Sequence, residues 1–302
     1  MPNERAPRVL VTGAAGFLAG PLLRRLHGRA RVFKLGRRAA PGVRAYDLAD
    51  PAQARAAVRA ARPAQVYHFA GDARARGWDA MWAAHATATV NLLEALAAAG
   101  EPVRVVVSGS SAEYGLAGGA RRVREDAPLE PLSLYGSCKL AQSLAALSFA
   151  RGPIEVVVAR IFNVLGPGIP DYLAPGSFAR QIARVAAGLQ PPEVLVGDLS
   201  PRRDYVDVRD VAAALELLMR RGVSGESYNV GLGRSVPMSA ILRGLASAAG
   251  VRVRERADPS RRGVSGVKDL VADSRKLRAL GWSPRIPLER SLADTLAWWA
   301  AR

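Results

Sequence analysis

Cysteine occurs once in the 302 residues, at Cys138, so no internal disulfide framework can form and a reducing compartment is expected. Cys138 itself reads as a small packing residue. No stretch approaches the roughly 18 apolar residues of a membrane span. The opening Met1-Pro-Asn-Glu-Arg5 runs straight into a short apolar strand, without the layout of a signal peptide. A cytoplasmic protein with no membrane partner is expected. Acidic residues are scarce, 26 against 43 Lys and Arg, for a formal net charge of +17. Such a charge suits a nucleic-acid binder. The arginines, however, are scattered through helices and loops, with no basic tail and no aromatic-interleaved patch. A solvated surface that favours anionic small molecules fits better, and no nucleic-acid partner and no metal site are expected. Internal repeats and low-complexity linkers are absent. What remains, 49% hydrophobic and 23% charged, is an ordinary globular composition, long enough for one large domain or two intimate ones.

Arg8-Val-Leu-Val-Thr12 is an apolar strand that ends in Gly13-Ala-Ala-Gly16-Phe-Leu-Ala19-Gly20, and an amphipathic helix follows with Phe17, Leu22, Leu23 and Leu26 on its stripe. Strand, glycine turn and helix form the context in which glycines bind a dinucleotide phosphate. Gly13 permits the tight turn, and Gly16 lets a pyrophosphate approach the helix N-terminus. Ala19 replaces the third glycine, which helix–strand packing tolerates. A second strand, 30–35, runs into Gly36-Arg37-Arg38. No Asp or Glu stands between Glu4 and Asp47 to hold a ribose 2′-hydroxyl, whereas arginine suits a 2′-phosphate, so NADP(H) is favoured and NAD(H) is possible. Asp47-Leu48 is placed to meet the adenine edge or, more plainly, to begin the helix that starts near Pro51.

Gln65-Val-Tyr-His-Phe69 is a third strand, ending at Ala70-Gly71, and its His68 reads as a hydrogen-bonded core histidine. One long helix is predicted over 78–99, a fourth strand over 103–107, and a serine-rich strand end, Ser108 to Gly115, lies where open parallel sheets place ligands. A helix over 132–150 and a strand over 154–159 come next, then looser alternation: helices over 178–188, 208–221, 237–249 and 288–299, and strands over 194–196, 203–206 and 228–230. Strand–helix alternation over the first half predicts a Rossmann-type, doubly wound parallel sheet. A smaller C-terminal α/β lobe would hold substrate over the strand ends. Residues 1–163 and 203–232 are assigned to the dinucleotide domain, and 164–202 and 233–302 to the lobe.

Tyr135 and Lys139 stand four residues apart on one helical face. An ammonium beside a phenol favours the phenolate, which makes the pair a candidate general acid/base. With the glycine turn and the serine strand end, this order of motifs resembles the extended short-chain dehydrogenase/reductase family, whose members act on nucleotide-diphosphate sugars. The resemblance spans nearly the whole chain. It implies Ser110, four residues before Tyr114, as the third catalytic residue beside Tyr135 and Lys139. It also implies a cofactor set of Gly13, Ala15, Gly16, Phe17, Leu18, Arg37, Arg38, Asp47, Leu48, Phe69, Ala70 and Gly71, with Tyr135 and Lys139 shared. Ser111, Asn163, Arg203, Arg261 and Arg262 are the substrate-side candidates, arginine being suited to bidentate diphosphate contacts.

Phe178 to Arg184, Val196-Gly-Asp-Leu199 and Arg203-Asp-Tyr-Val-Asp-Val-Arg-Asp-Val211 look like the GDP-sugar branch of that family. Its dehydratases need a glutamate two residues before the strand-end tyrosine, and Ala112 stands there, with Glu113 one residue later and directed elsewhere. Reduction of a nucleotide-linked 4-keto-6-deoxyhexose, of the GDP-4-keto-6-deoxymannose type, is therefore expected. An epimerase that retains NAD is the alternative within the fold, and a non-catalytic cofactor sensor the alternative outside enzymes. Two departures stand out: His85 occupies a position usually held by asparagine, and residues 169–175 do not follow the reductase pattern. The resemblance also implies a homodimer, in which Leu93, Leu96, Leu140, Leu144 and Leu147 either meet the partner or face the sheet.

Overall fold

Apolar runs too continuous to alternate, such as Val103-Arg-Val-Val-Val107, need cover on both faces, and parallel strands between two helical layers provide it. The computed structural model, which describes residues 6–116, 122–261, 266–267 and 269–302, has this arrangement. Its main sheet contains β1 (Arg8–Thr12), β2 (Arg31–Gly36), β3 (Arg44–Ala45), β4 (Gln65–His68), β5 (Val103–Ser110), β6 (Ile154–Ile161) and β7 (Ser227–Val230). All pair in parallel, in the order β3-β2-β1-β4-β5-β6-β7. The order reverses between β1 and β4, which opens a crevice at their carboxyl ends.

Alternate residues of each strand enter opposite cores. From β1, Val9 and Val11 join α1 (Ala19–Leu26) and α7 (Val208–Arg221) on one face. Leu10 joins α2 (Pro51–Ala61) and α4 (Ala88–Ala99) on the other. Pro51 occupies the first turn of α2, and the Asp50 carboxylate caps it by accepting from Ala52 N at 2.8 Å and Gln53 N at 3.3 Å. Asp47 therefore does not start that helix; it accepts from Ala49 N at 2.9 Å in the turn before it.

Residues 78–99 form one continuous helical run that is α-helical at both ends and π-helical in between. α3 (Trp78–Trp82) passes into a π-helical turn, Ala83–Thr87, before α4 begins. The Thr89 hydroxyl donates to the His85 carbonyl at 2.7 Å, and the widened turn carries the His85 ring inward. α5 (Leu134–Ser148) is capped by Ser133, which accepts from Gly136 N at 3.0 Å. Of the leucines considered for a dimer, Leu93 and Leu96 are buried against the sheet, Leu140 and Leu147 are half-buried, and Leu144 is exposed.

Beyond β6, the strand pair 163–165 and 205–207 leads to a third apolar cluster. There α6 (Ala174–Ala186), α8 (Met238–Ala248) and α10 (Leu288–Ala300) pack through Phe178, Ile182, Ile241, Leu245 and Leu292. The strand expected over 203–206 is broken at Asp204. Its buried carboxylate accepts from Leu232 N and Gly233 N, both at 2.8 Å, and from Ala272 N at 3.1 Å, which ties the chain down between two short strands. Strand 254–257 and the short helix α9 (Arg275–Ala279) carry no apolar alternation that would disclose them, Arg254-Glu-Arg-Ala257 being exposed throughout, while strand 269–272 buries only Leu270 and Ala272.

Candidate active site

The carboxyl ends of β1, β4, β5 and β6 surround a cavity of about 650 Å³. Its floor is the glycine turn. Gly13 has φ +63°, and a Cβ there would lie 2.6 Å from the Phe69 carbonyl oxygen, so the turn and the β4 end approach as closely as backbone allows. Phe69 N and Ala70 N donate to Thr12 Oγ1 at 3.1 and 3.0 Å, and His68 Nδ1 meets the same oxygen at 2.8 Å. His68 Nε2 meets Thr89 Oγ1 at 2.8 Å, so this histidine is a satisfied core residue. α1 begins without a side-chain cap, so the positive end of its dipole is open to an anion, although Ala19 N already turns back to the Gly16 carbonyl at 3.2 Å. Together, the glycine cradle and the uncapped helix fit a dinucleotide pyrophosphate. Gly13→Ala is expected to weaken dinucleotide binding at least tenfold and to lower the melting temperature. A fluorescence titration and a thermal melt that both match the wild type would refute this.

The serine-rich wall follows from one backbone turn. Ser110 ends β5, and its hydroxyl accepts from Ala112 N at 3.2 Å while Glu113 accepts from Ser110 N at 2.7 Å, forming a capping box. Glu113 then points into the core, where it pairs with Arg160 at 3.0 Å and accepts from Ser143 Oγ at 2.9 Å. Burial pushes its carboxyl up, with Arg160 the largest opposing influence. α5 lies against this turn because residue 136 is glycine: a Cβ there would fall 2.6 Å from the Ala112 carbonyl oxygen.

That contact brings Tyr135 to Ser110. Burial pushes the phenol up to about 12, opposed by the nearby Ser110 side chain, so the free protein holds Tyr135 in its protonated form. The expected Lys139–phenol contact is not what the structure shows. The buried Lys139 ammonium donates to the Ser108 carbonyl and to Gln142 Oε1, and burial lowers it to about 8. Gln142 passes this on to Thr89 Oγ1 at 2.9 Å, so one buried polar chain joins Lys139 to His68 and Thr12. The four-residue spacing sets Lys139 on the Tyr135 face, but its side chain is long enough to reach a strand carbonyl and does so.

The cavity wall includes Gly13, Gly16, Phe17 and Leu18 from the turn, Phe69, Ala70 and Gly71 from the β4 end, and Ser110, Ser111, Tyr135, Lys139, Asn163 and Arg203. Other expected residues lie elsewhere. Ala15 is exposed in the turn, outside the wall. Arg37 and Arg38 are exposed beyond β2, where Arg37 pairs with Asp72 at 3.2 Å. Leu48 is a core residue whose carbonyl accepts from Asn91 Nδ2 at 2.9 Å, and Asp47 sits beside it. Arg261 is held in the lobe by Asp258 at 3.0 Å and Ser177 at 2.7 Å, also outside the wall. Arg262 lies outside the described residues. Two wall residues, Tyr172 and Leu132, carried no motif that would single them out, and His85 carried only its unusual position.

The chain matches the NAD dependent epimerase/dehydratase family over residues 9–231. It belongs to that family. GDP-6-deoxy-D-mannose reductase of Pseudomonas aeruginosa is 34% identical over 217 residues, 71% of each chain. The dTDP-6-deoxy-L-talose 4-dehydrogenase (NAD(P)(+)) of Kitasatospora kifunensis is 30% identical over 97% of this chain and 96% of its own. The solved structure of RMD from Pseudomonas aeruginosa complexed with NADPH superposes with a TM-score of 0.88 at 30% identity, covering 98% of this chain and 99% of that one. The protein is an NAD(P)-dependent enzyme of the extended short-chain dehydrogenase/reductase type, from a family of nucleotide-sugar reductases, epimerases and dehydratases. Among the described residues no helix is long and apolar enough to cross a membrane.

Proposed function

We propose that this enzyme reduces the 4-keto group of a nucleotide-linked 4-keto-6-deoxyhexose, of the GDP-4-keto-6-deoxymannose type, with NADPH favoured as hydride source and NADH possible. The observation that carries the reading is the loop before Tyr114. Ala112 faces the cavity where elimination chemistry needs a base, and Glu113 is locked into a buried ion pair. The reductase relative supports the GDP sugar, and the talose dehydrogenase relative supports 4-keto chemistry with either dinucleotide.

Residues 1–163 and 203–232 would hold the dinucleotide, and 164–202 and 233–302 the sugar nucleotide. When bound, the reduced dinucleotide supplies the hydride. Tyr135, protonated in the free protein, delivers its proton to the nascent alkoxide. Ser110 donates a hydrogen bond to the same oxygen as charge develops on it. Lys139 keeps the α5 face in register with β5 through the Ser108 carbonyl and supplies positive charge beside the cavity. Asn163 and Arg203 line the substrate side, where a guanidinium suits the diphosphate.

The test is NADPH consumption with GDP-4-keto-6-deoxymannose and, in parallel, dTDP-4-keto-6-deoxyglucose. Turnover of the GDP sugar alone is the expected result. Turnover of the dTDP sugar alone would keep the chemistry and discard the base. Consumption with neither, together with NAD released from the denatured protein, would replace the reductase by an epimerase.

A further inference from the structure

His85 is a wall residue of the cavity, 3% exposed, and neither of its ring nitrogens has a hydrogen-bond partner. The Asp72 main chain passes near the ring without forming a bond of normal geometry. Its counterpart His68, equally buried, has both nitrogens bonded at 2.8 Å. The fold builds a seat for the His85 ring. The π-helical turn carries it inward, and Tyr135 packs on it edge-on at 5.6 Å and 80°. Gly71 leaves the space: a Cβ there would lie 2.4 Å from His85 Cε1. A buried polar group held without partners is costly unless a ligand supplies them.

We propose that His85 is a dinucleotide-binding residue that exchanges a hydrogen bond with a ribose hydroxyl of the cofactor on the side of the cavity formed by the β1 and β4 ends. The inference rests on the cofactor reading above and adds to it a residue that no glycine or Tyr-Lys pattern discloses. Position chooses the dinucleotide over the sugar, because the ring lies against Gly71, which follows the strand end that faces the Gly13 turn. Chemistry chooses a hydroxyl over a phosphate. Burial, reinforced by Lys139, lowers His85 to about 4, so the ring is uncharged and offers one donor and one acceptor. A hydroxyl can donate to the bare nitrogen or accept from the protonated one, whereas an anion can only accept.

With His27, His68 and His85 as its three histidines, the protein suits nitrogen-15 histidine labelling. Adding NADPH is expected to move the His85 ring-nitrogen resonances while His27, exposed, and His68, internally bonded, stay in place. GDP-mannose alone should leave all three unmoved. His85→Phe, which keeps the ring packing, should weaken NADPH binding by up to about tenfold, the worth of one good hydrogen bond, and His85→Asn should restore most of it. NADPH binding, seen by tryptophan quenching, with unmoved His85 signals would overturn the proposal. So would a response to GDP-mannose in place of NADPH, or equal weakening by Phe and Asn. Binding of neither NADPH nor NADH by the wild-type protein would defeat the cofactor reading itself, and this inference with it.

Discussion

Tyr135→Phe is expected to lower turnover by roughly 10²–10⁴-fold, the usual worth of a positioned general acid, while leaving NADPH affinity and the melting temperature nearly unchanged. The phenol is half-buried in the cavity wall, where Ser110 also lies, so removing its oxygen breaks no internal hydrogen bond on which the fold depends and leaves the ring packed against His85. The loss should fall on kcat, because in the proposed role the proton would move only as charge forms on the substrate oxygen. Burial holds the phenol near 12, so the donor stays protonated through neutral and mildly alkaline pH. A variant that keeps more than a tenth of wild-type kcat would remove Tyr135 from the chemistry.

Glu113→Ala should produce the largest change in stability. Glu113 and Arg160 pair at 3.0 Å with side chains 0% and 5% exposed. Breaking such a pair from one side leaves an uncompensated buried charge, at a cost of about 3–5 kcal/mol. Arg160 would retain only the Tyr114 hydroxyl at 3.2 Å and the Glu125 carbonyl at 2.8 Å, neither of which neutralises it. The Ser110 amide would lose its acceptor as well, so kcat should fall alongside stability. Urea unfolding reads the first effect and steady-state rates the second. The paired replacement Glu113→Leu with Arg160→Met should recover most of the stability and little of the rate, since it removes the charge problem but not the orphaned amide. A single variant within 1 kcal/mol of wild type would show that solvent already relieves this pair.

The glycine turn, the apolar strands and the Tyr135 helix are legible because each rests on local rules. Positive φ at residue 13 demands glycine and double-sided burial demands continuous valines, whereas the caps that open α2 and α5, Asp50 and Ser133, emerge only in the structure. Such signals lie within a few residues of one another, and the parallel order of the main sheet follows from their alternation. Arg254-Glu-Arg-Ala257 shows the limit, since an exposed edge strand needs no apolar pattern.

Convergence is a different matter. The sequence by itself determined a parallel sheet with a dinucleotide turn at one end of β1, and it placed a serine, a tyrosine and a lysine near the strand ends beyond it. Only the tertiary structure decided what each of them touches. Lys139 reaches the Ser108 carbonyl, 31 residues away in the chain, and not the phenol four residues before it. Glu113 finds Arg160, 47 residues on, and leaves the cavity to Ala112. His85 enters the wall because Gly71 leaves room for it. Spacing along one element fixes a direction, but partners are chosen by burial: a polar group that loses water takes whichever complementary atom the packing brings within reach, and that atom belongs as a rule to another element.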